Sequence, residues 1–200
     1  MSLITYPVLV DPRAFLPRSF SATQRVNQRS FGSPFGGSEQ AVDMLNDRWS
    51  FSIELAPCTQ AQAARREAFV NALRGLVNHT ELYHFGRQVP IGTLSGSPTA
   101  QAAPQGAASV VLNATTGQTL LAGDMIGING LLLQVAADCV SIGGVMTVIL
   151  TNRLRRAVAD ATPVVWLQPT AQFRLVGASV QRYVPSYGES LALEFIEKVD

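Results

Sequence analysis

The sequence predicts a mainly β (α+β) protein: an outer β-sandwich with one packed helix, and an inserted small β-barrel-like module. Three observations carry that prediction. Asn129-Gly130 sits between two apolar runs, Met125 to Ile128 and Leu131 to Val135. Asn-Gly tolerates positive φ at both central positions, so a two-residue type I′ hairpin is expected there. Trp49-Ser-Phe-Ser-Ile-Glu-Leu55 alternates strictly between apolar and polar residues, the period of a half-buried strand. From Ser109 to Leu167 short apolar runs follow one another between tight turns, as in a small barrel or sandwich.

Residues 1–48 alternate short apolar pieces with polar turns, and Ser30 to Gly37 reads as a turn-rich aromatic loop. The Trp49 strand is ended by Pro57. Thr59 and Gln62 fit a capping box, in which the Thr hydroxyl accepts from the Gln62 backbone and the Gln side chain reaches back. The helix it opens runs to about Asn78. Phe69, Ala72, Leu73 and Leu76 fall at i, i+3, i+4 and i+7 on one apolar stripe, with Arg66, Glu67, Asn71 and Arg74 pointing elsewhere. Leu82 to Phe85 resumes as a strand. Gly86 to Ala108 is rich in Gly, Pro and small residues, too poor in apolar surface to offset its ordering entropy alone. Residues 89–108 are therefore expected to be a linker or arm.

Strands follow at Ser109–Leu112, Met125–Ile128, Leu131–Ala136, Val145–Leu150 and Val164–Leu167, with Gly143-Gly144 as a second hairpin turn. Beyond Pro169, Gln172–Val176 and Ser190–Ile196 add two more. Leu191, Leu193 and Phe195 alternate as the Trp49 strand does, which pairs those two strands in one sheet. Residues 1–88 together with 170–200 then form the outer domain, and 109–169 the inserted module.

Apolar residues make up 47% of the 200 and charged residues 14%, well below the roughly 25% usual for soluble domains. So little charge leans towards a surface covered by partners, hence an oligomer. The net charge is +1, and all but one of the 15 basic residues are Arg. That balance offers no footprint for nucleic acid or an anionic membrane. No apolar run reaches the roughly 18 residues of a membrane span. Cys58 and Cys139 are far apart, form no metal-spaced pair, and read as reduced, semi-buried residues. Met1 to Pro7 has no charged segment followed by an apolar run, so no secretion signal is expected and the chain is read as made in cytoplasm.

Groups for catalysis are scarce. His79 and His84 have no carboxylate between them and match no metal motif; both read as structural. Asp124, Asp138 and Asp160 sit where Asp serves turns, and neither a base nor a nucleophile lies near them in sequence. There is no Gly-x-Ser-x-Gly elbow and no phosphate loop. The sequence therefore predicts no catalytic, metal or cofactor-binding residue, and no enzyme. Candidates for interaction remain. Phe31 and Phe35 share one loop and either stack on a sugar, plug a neighbouring subunit, or bury in the parent core. Arg153, Arg155 and Arg156 form the tightest basic group: a solvated strand end or loop, or a phosphate or partner site.

The order of four pieces resembles the distal-tail or tail-tip proteins of long-tailed bacteriophages. The pieces are the Trp49–Leu55 strand, the Thr59–Asn78 helix, the hairpin Ala122-Gly-Asp124…Gly130…Val135…Asp138, and Leu154-Arg155…Pro163-Val164 leading to Phe173 and Leu175. The likeness covers about residues 45–196. It implies a structural virion protein of the tail tip or baseplate, assembled in the host cytoplasm into a homo-oligomeric ring, usually of six copies. Such a ring joins the tail tube protein to the hub and tip proteins, and the resemblance brings no catalytic residues with it. Another tail ring component (tube, terminator or hub subunit) is one alternative. A carbohydrate-binding module is a second, although Trp49 and Trp166 both look buried by pattern, and a small hydrolase is a third, against which the missing nucleophile–base pair argues.

Overall fold

The structure is a computed structural model and describes residues 2–32, 36–37 and 39–199. In chain order its strands are β1 Pro17–Arg25, β2 Gln28–Gly32, β3 Glu39–Asp43, β4 Arg48–Leu55, β5 Cys58–Thr59, β6 Thr80–Tyr83, β7 Thr99–Ala100, β8 Ser109–Asn113 and β9 Thr119–Leu120. There follow β10 Met125–Ile128, β11 Leu131–Gln134, β12 Cys139–Val140, β13 Val145–Ile149, β14 Thr162–Val165, β15 Thr170–Ala178, β16 Tyr183–Val184, β17 Tyr187–Gly188 and β18 Leu191–Glu197. The α-helices are α1, Pro12–Phe15, and α2, Gln60–Leu73. The fold is mainly β with one packed helix of substance. The chain divides into two compact units, Met1–Thr23 with Trp49–Gln88 and Thr170–Asp200, and Gln24–Arg48 with Val89–Pro169.

The first unit is built on a five-stranded sheet in the order β1-β4-β18-β15-β6. Trp49, Phe51, Ile53 and Leu55 of β4 are buried, as their alternation requires. β18 lies antiparallel beside β4 with Leu191 opposite Leu55, Leu193 opposite Ile53 and Phe195 opposite Phe51. A slip of one residue would turn one strand's apolar set to the opposite face, so the matched alternations fix the register. An aromatic core fills the unit. Phe51 stacks on Phe173 at 4.4 Å between ring centres, and Tyr6, Phe15 and Phe69 meet edge to face.

Helix α2 opens with the expected capping box, Thr59 and Gln62 bonding reciprocally. It ends at Leu73 rather than near Asn78, because Arg74 and Gly75 adopt left-handed conformations, φ 48° and 62°. Its buried face also differs from expectation. Ala63, Arg66, Phe69 and Leu73 are covered, whereas Ala72 and Leu76 are exposed. The small sheet β16-β17-β5 packs against the same helix. Gly188 of β17 is required there, since a Cβ would collide with the Ala63 side chain.

The second unit holds a six-stranded sheet in the order β11-β10-β14-β7-β8-β13. Its ends meet: Val135 bridges Leu150, Ala136 N–H donates to Ile149 O, and Thr151 N–H to Gln134 O. The sheet thus closes into a barrel around Val110, Leu112, Ile126, Ile128, Leu133, Met146 and Val148. The Asn129-Gly130 turn is as expected, with φ 50° and 72° and Ile128 opposite Leu131. Gly143-Gly144 makes the second two-residue turn, with Ile142 bridging Val145.

Two expectations are corrected in this unit. Residues 89–108 are not a linker or arm: β7 lies between β14 and β8, and Leu94 and Ala100 are buried in the barrel core. Ser30 to Gly32 are not loop but the end of β2, which pairs with β3 in a two-stranded ribbon. By contact that ribbon groups with the barrel. Trp166 lies just past the end of β14 and is only half-buried, its indole N–H donating to Gly96 O at 3.0 Å.

Candidate functional site

Every strand residue of the β2–β3 ribbon is exposed. The pairing puts Phe31 opposite Gln40 and Arg29 opposite Val42, so these four side chains share one face. Met44, two residues beyond Val42, continues that row. Phe31 is 57% exposed, so burial in the parent core, the ordinary alternative for it, does not hold. Phe35 lies outside the described residues. The opposite face carries Gln28, Ser30, Ala41, Glu39 and Asp43, small or polar throughout.

The base of the ribbon is fastened. Met44 N–H donates to Asn27 O, Asn27 N–H to Asp47 Oδ1, and the Asn27 amide to Leu45 O. Arg153 pairs with Asp43 at 3.1 Å, and Arg155 Nη1 donates to Asp47 O at 3.0 Å. The basic group found in the sequence is therefore engaged at Arg153 and Arg155 in holding this ribbon, and Arg156 follows on the surface. Buried Leu154 between them anchors the loop that presents both.

The barrel presents a second apolar surface. Between Arg87 and Arg153 the only charged residues are Asp124 and Asp138. On the outer face of β8 and β13, Thr147 lies opposite Val111, Ile149 opposite Ser109, and Val145 opposite Asn113. Ile142, 75% exposed, bridges Val145 and so projects to the same side. At one end of the barrel is an open, uncharged cup of about 390 Å³, lined by Ser95, Gly96, Ser97, Asn113, Thr115 and Gly144 among others.

Both barrel carboxylates serve the backbone. Buried Asp124 accepts from Ile91 N–H (2.7 Å), Gly92 N–H (3.1 Å) and Leu121 N–H (2.8 Å), and so draws residues 91–92 onto the barrel. Asp138 accepts from Ala122 N–H at 2.7 Å. His79 is buried beside Leu3, its partner in a β-bridge. His84 lies edge-on to Phe20 and Phe51, and burial, aided by the Arg87 charge, lowers its pKa below the usual 6.5. Burial raises both thiols, Cys58 and Cys139, away from the reactive thiolate. Among the described residues no group of three His, Cys, Asp or Glu is placed to hold a metal ion, and no helix is long and apolar enough to cross a membrane.

Arg66 is the residue that sequence reading missed. It is fully buried, donating Nε to Ala14 O and Nη1 to Ala56 O at 2.7 Å each, and burial lowers its pKa below the ordinary guanidinium range. It ties the helix to the ends of α1 and β4. No family model matches the chain, and no curated protein matches it.

Proposed function

We propose that this chain is a structural virion protein that forms a ring at the distal end of a phage tail tube, joining the tube to the hub and tail tip. The observation that carries the reading is the β2–β3 ribbon: all ten of its strand residues are exposed, yet its base is clamped by five side-chain and backbone bonds. An isolated two-stranded ribbon is marginal in water, so one whose strand residues are all exposed is built to be covered by another molecule. The low charge of the chain and the order of its β elements support the same reading. On it, the protein is a tail-tip or baseplate component that works by shape and contact and has no catalysis of its own.

Electron microscopy of the purified chain, and of virions labelled with an antibody to it, tests the proposal. Rotationally symmetric particles, most often sixfold, and label at the tail end are expected. A monomer in assembled tails overturns it. Purified protein should release no soluble sugar from host wall or capsule. Release that disappears in Asp124→Asn with Asp138→Asn, assembly surviving, would replace the scaffold with a carboxylate-based hydrolase.

A second reading, a saccharide-binding module, is favoured by the uncharged, hydroxyl-lined cup at the barrel end. Saturation-transfer NMR with host glycans, compared between the wild type and Ser97→Val with Thr115→Val, separates the two.

A further inference from the structure

We infer that the apolar face of the β2–β3 ribbon docks on the outer β8–β13 face of the barrel in a second copy of this chain. The inference rests on the ring reading and names the joint that closes the ring.

Two unpartnered surfaces on one chain carry it. Phe31, Val42 and Met44 make the ribbon's apolar face, at 57%, 36% and 41% exposure, with Arg29 and Gln40 beside them. Val111, Ile142, Val145 and Ile149 make the barrel's apolar face, with the neutral Ser109, Asn113 and Thr147 between them. Neither surface covers the other within one chain, since all their apolar residues except half-buried Val111 are exposed. The occupant follows from charge. No Lys, Arg, Asp or Glu lies on the barrel face, so a partner that brought several charges to it would bury them unpaired. The ribbon face brings one, Arg29, at the base end of the row, where its long side chain can lay its methylenes on the apolar contact and keep the guanidinium at the solvated rim. Its acidic residues, Glu39 and Asp43, are on the opposite face.

The two patches are different surfaces, so their contact is heterologous: each copy offers a ribbon to one neighbour and a barrel to the other. Such contacts propagate head to tail and either close as a ring or run on as a filament. A self-complementary contact would instead stop at a twofold dimer.

The test places a photoactivatable benzophenone side chain at position 31 of the full chain, in a mixture of isotopically heavy and light copies. Cross-links are mapped by mass spectrometry, and native mass spectrometry reads the oligomer. The expected result is heavy-to-light cross-links from position 31 to residues 109–113 and 142–149. Val145→Glu with Ile149→Glu, whose positions face solvent in the single chain, should then lower the oligomer population about tenfold at fixed concentration with the fold intact by circular dichroism. Oligomers cross-linked elsewhere, or ribbon to ribbon, overturn the joint and leave the ring proposal standing. Cross-links only within one copy overturn the joint as well. A monomer at every concentration overturns both.

Discussion

Asp124 joins two pieces of chain 33 residues apart through its bond to Ile91. Replacing it with Asn keeps one acceptor oxygen and sets an amide donor against backbone N–H groups that need an acceptor. We expect Asp124→Asn to destabilise the protein by about 2–3 kcal/mol, read as a lower urea midpoint. An unchanged midpoint would mean that the carboxylate does not hold residues 91–92. His84 gives a pH dependence of known sign. Its folded pKa lies below 6.5, so its contribution is fully present above pH 6.5 and is lost as pH falls through the folded pKa, when the unfolded chain binds the proton first. Stability should decline on acidification below 6.5, and His84→Leu should decline less over the same range. Equal slopes for the two proteins would clear His84 of the effect.

At the scale of elements, turn chemistry and alternation explain what could be read in advance. Asn129 and Gly130 both have positive φ, and nothing lies within 4 Å of where a Gly130 Cβ would stand. Gly130→Val should therefore cost about 1–3 kcal/mol from backbone strain alone, measured as a fall in melting temperature. If melting is unchanged, the strain is absent. The β4 and β18 strands were legible because each writes its buried face in period two, and the helix start because its cap is a local pair of side chains. The helix end was signalled by Gly75, a residue suited to the left-handed conformation that stops a helix, but the apolar spacing that continues to Leu76 carries the reading past it. Arg66 reads as lying off the apolar stripe because a guanidinium that donates to two backbone carbonyls looks, in sequence, like any charge on a helix. Residues 89–108 were misread for a related reason. Gly92 is small because a Cβ would strike the Thr119 carbonyl, not because the segment is loose. The ribbon was hidden in a run of Ser, Gly and Pro, for its order comes from ladder bonds and from distant Arg153. Of the interaction residues named from sequence, Phe31 proved exposed and Arg153 and Arg155 proved to be its support.

For the molecule as a whole, the barrel's hold on residues 89–108 reverses what their composition suggests about protease sensitivity. Trypsin has no site between Arg87 and Arg153, so a broad-specificity protease is the right probe. Native chain should resist cleavage between Gly92 and Ala108, where Leu94 and Ala100 are buried and Ala103 pairs with Val158. Early nicking there would show that the segment opens independently of the barrel.

Tyr83 and Thr170 are direct partners in the antiparallel pairing of β6 with β15. All of residues 84–169 therefore leave the five-stranded sheet and return to it at one point, where a short hairpin loop would serve as well. Loop length costs little entropy beyond the first few residues, so the sheet is nearly indifferent to what is carried there. For descent this makes the barrel a cassette. Exchange of residues 89–169 for another domain would leave the β6–β15–β18–β4 ladders intact but remove Arg153 and Arg155, which clamp the β2–β3 ribbon, so related chains that lack the barrel should lack the ribbon too.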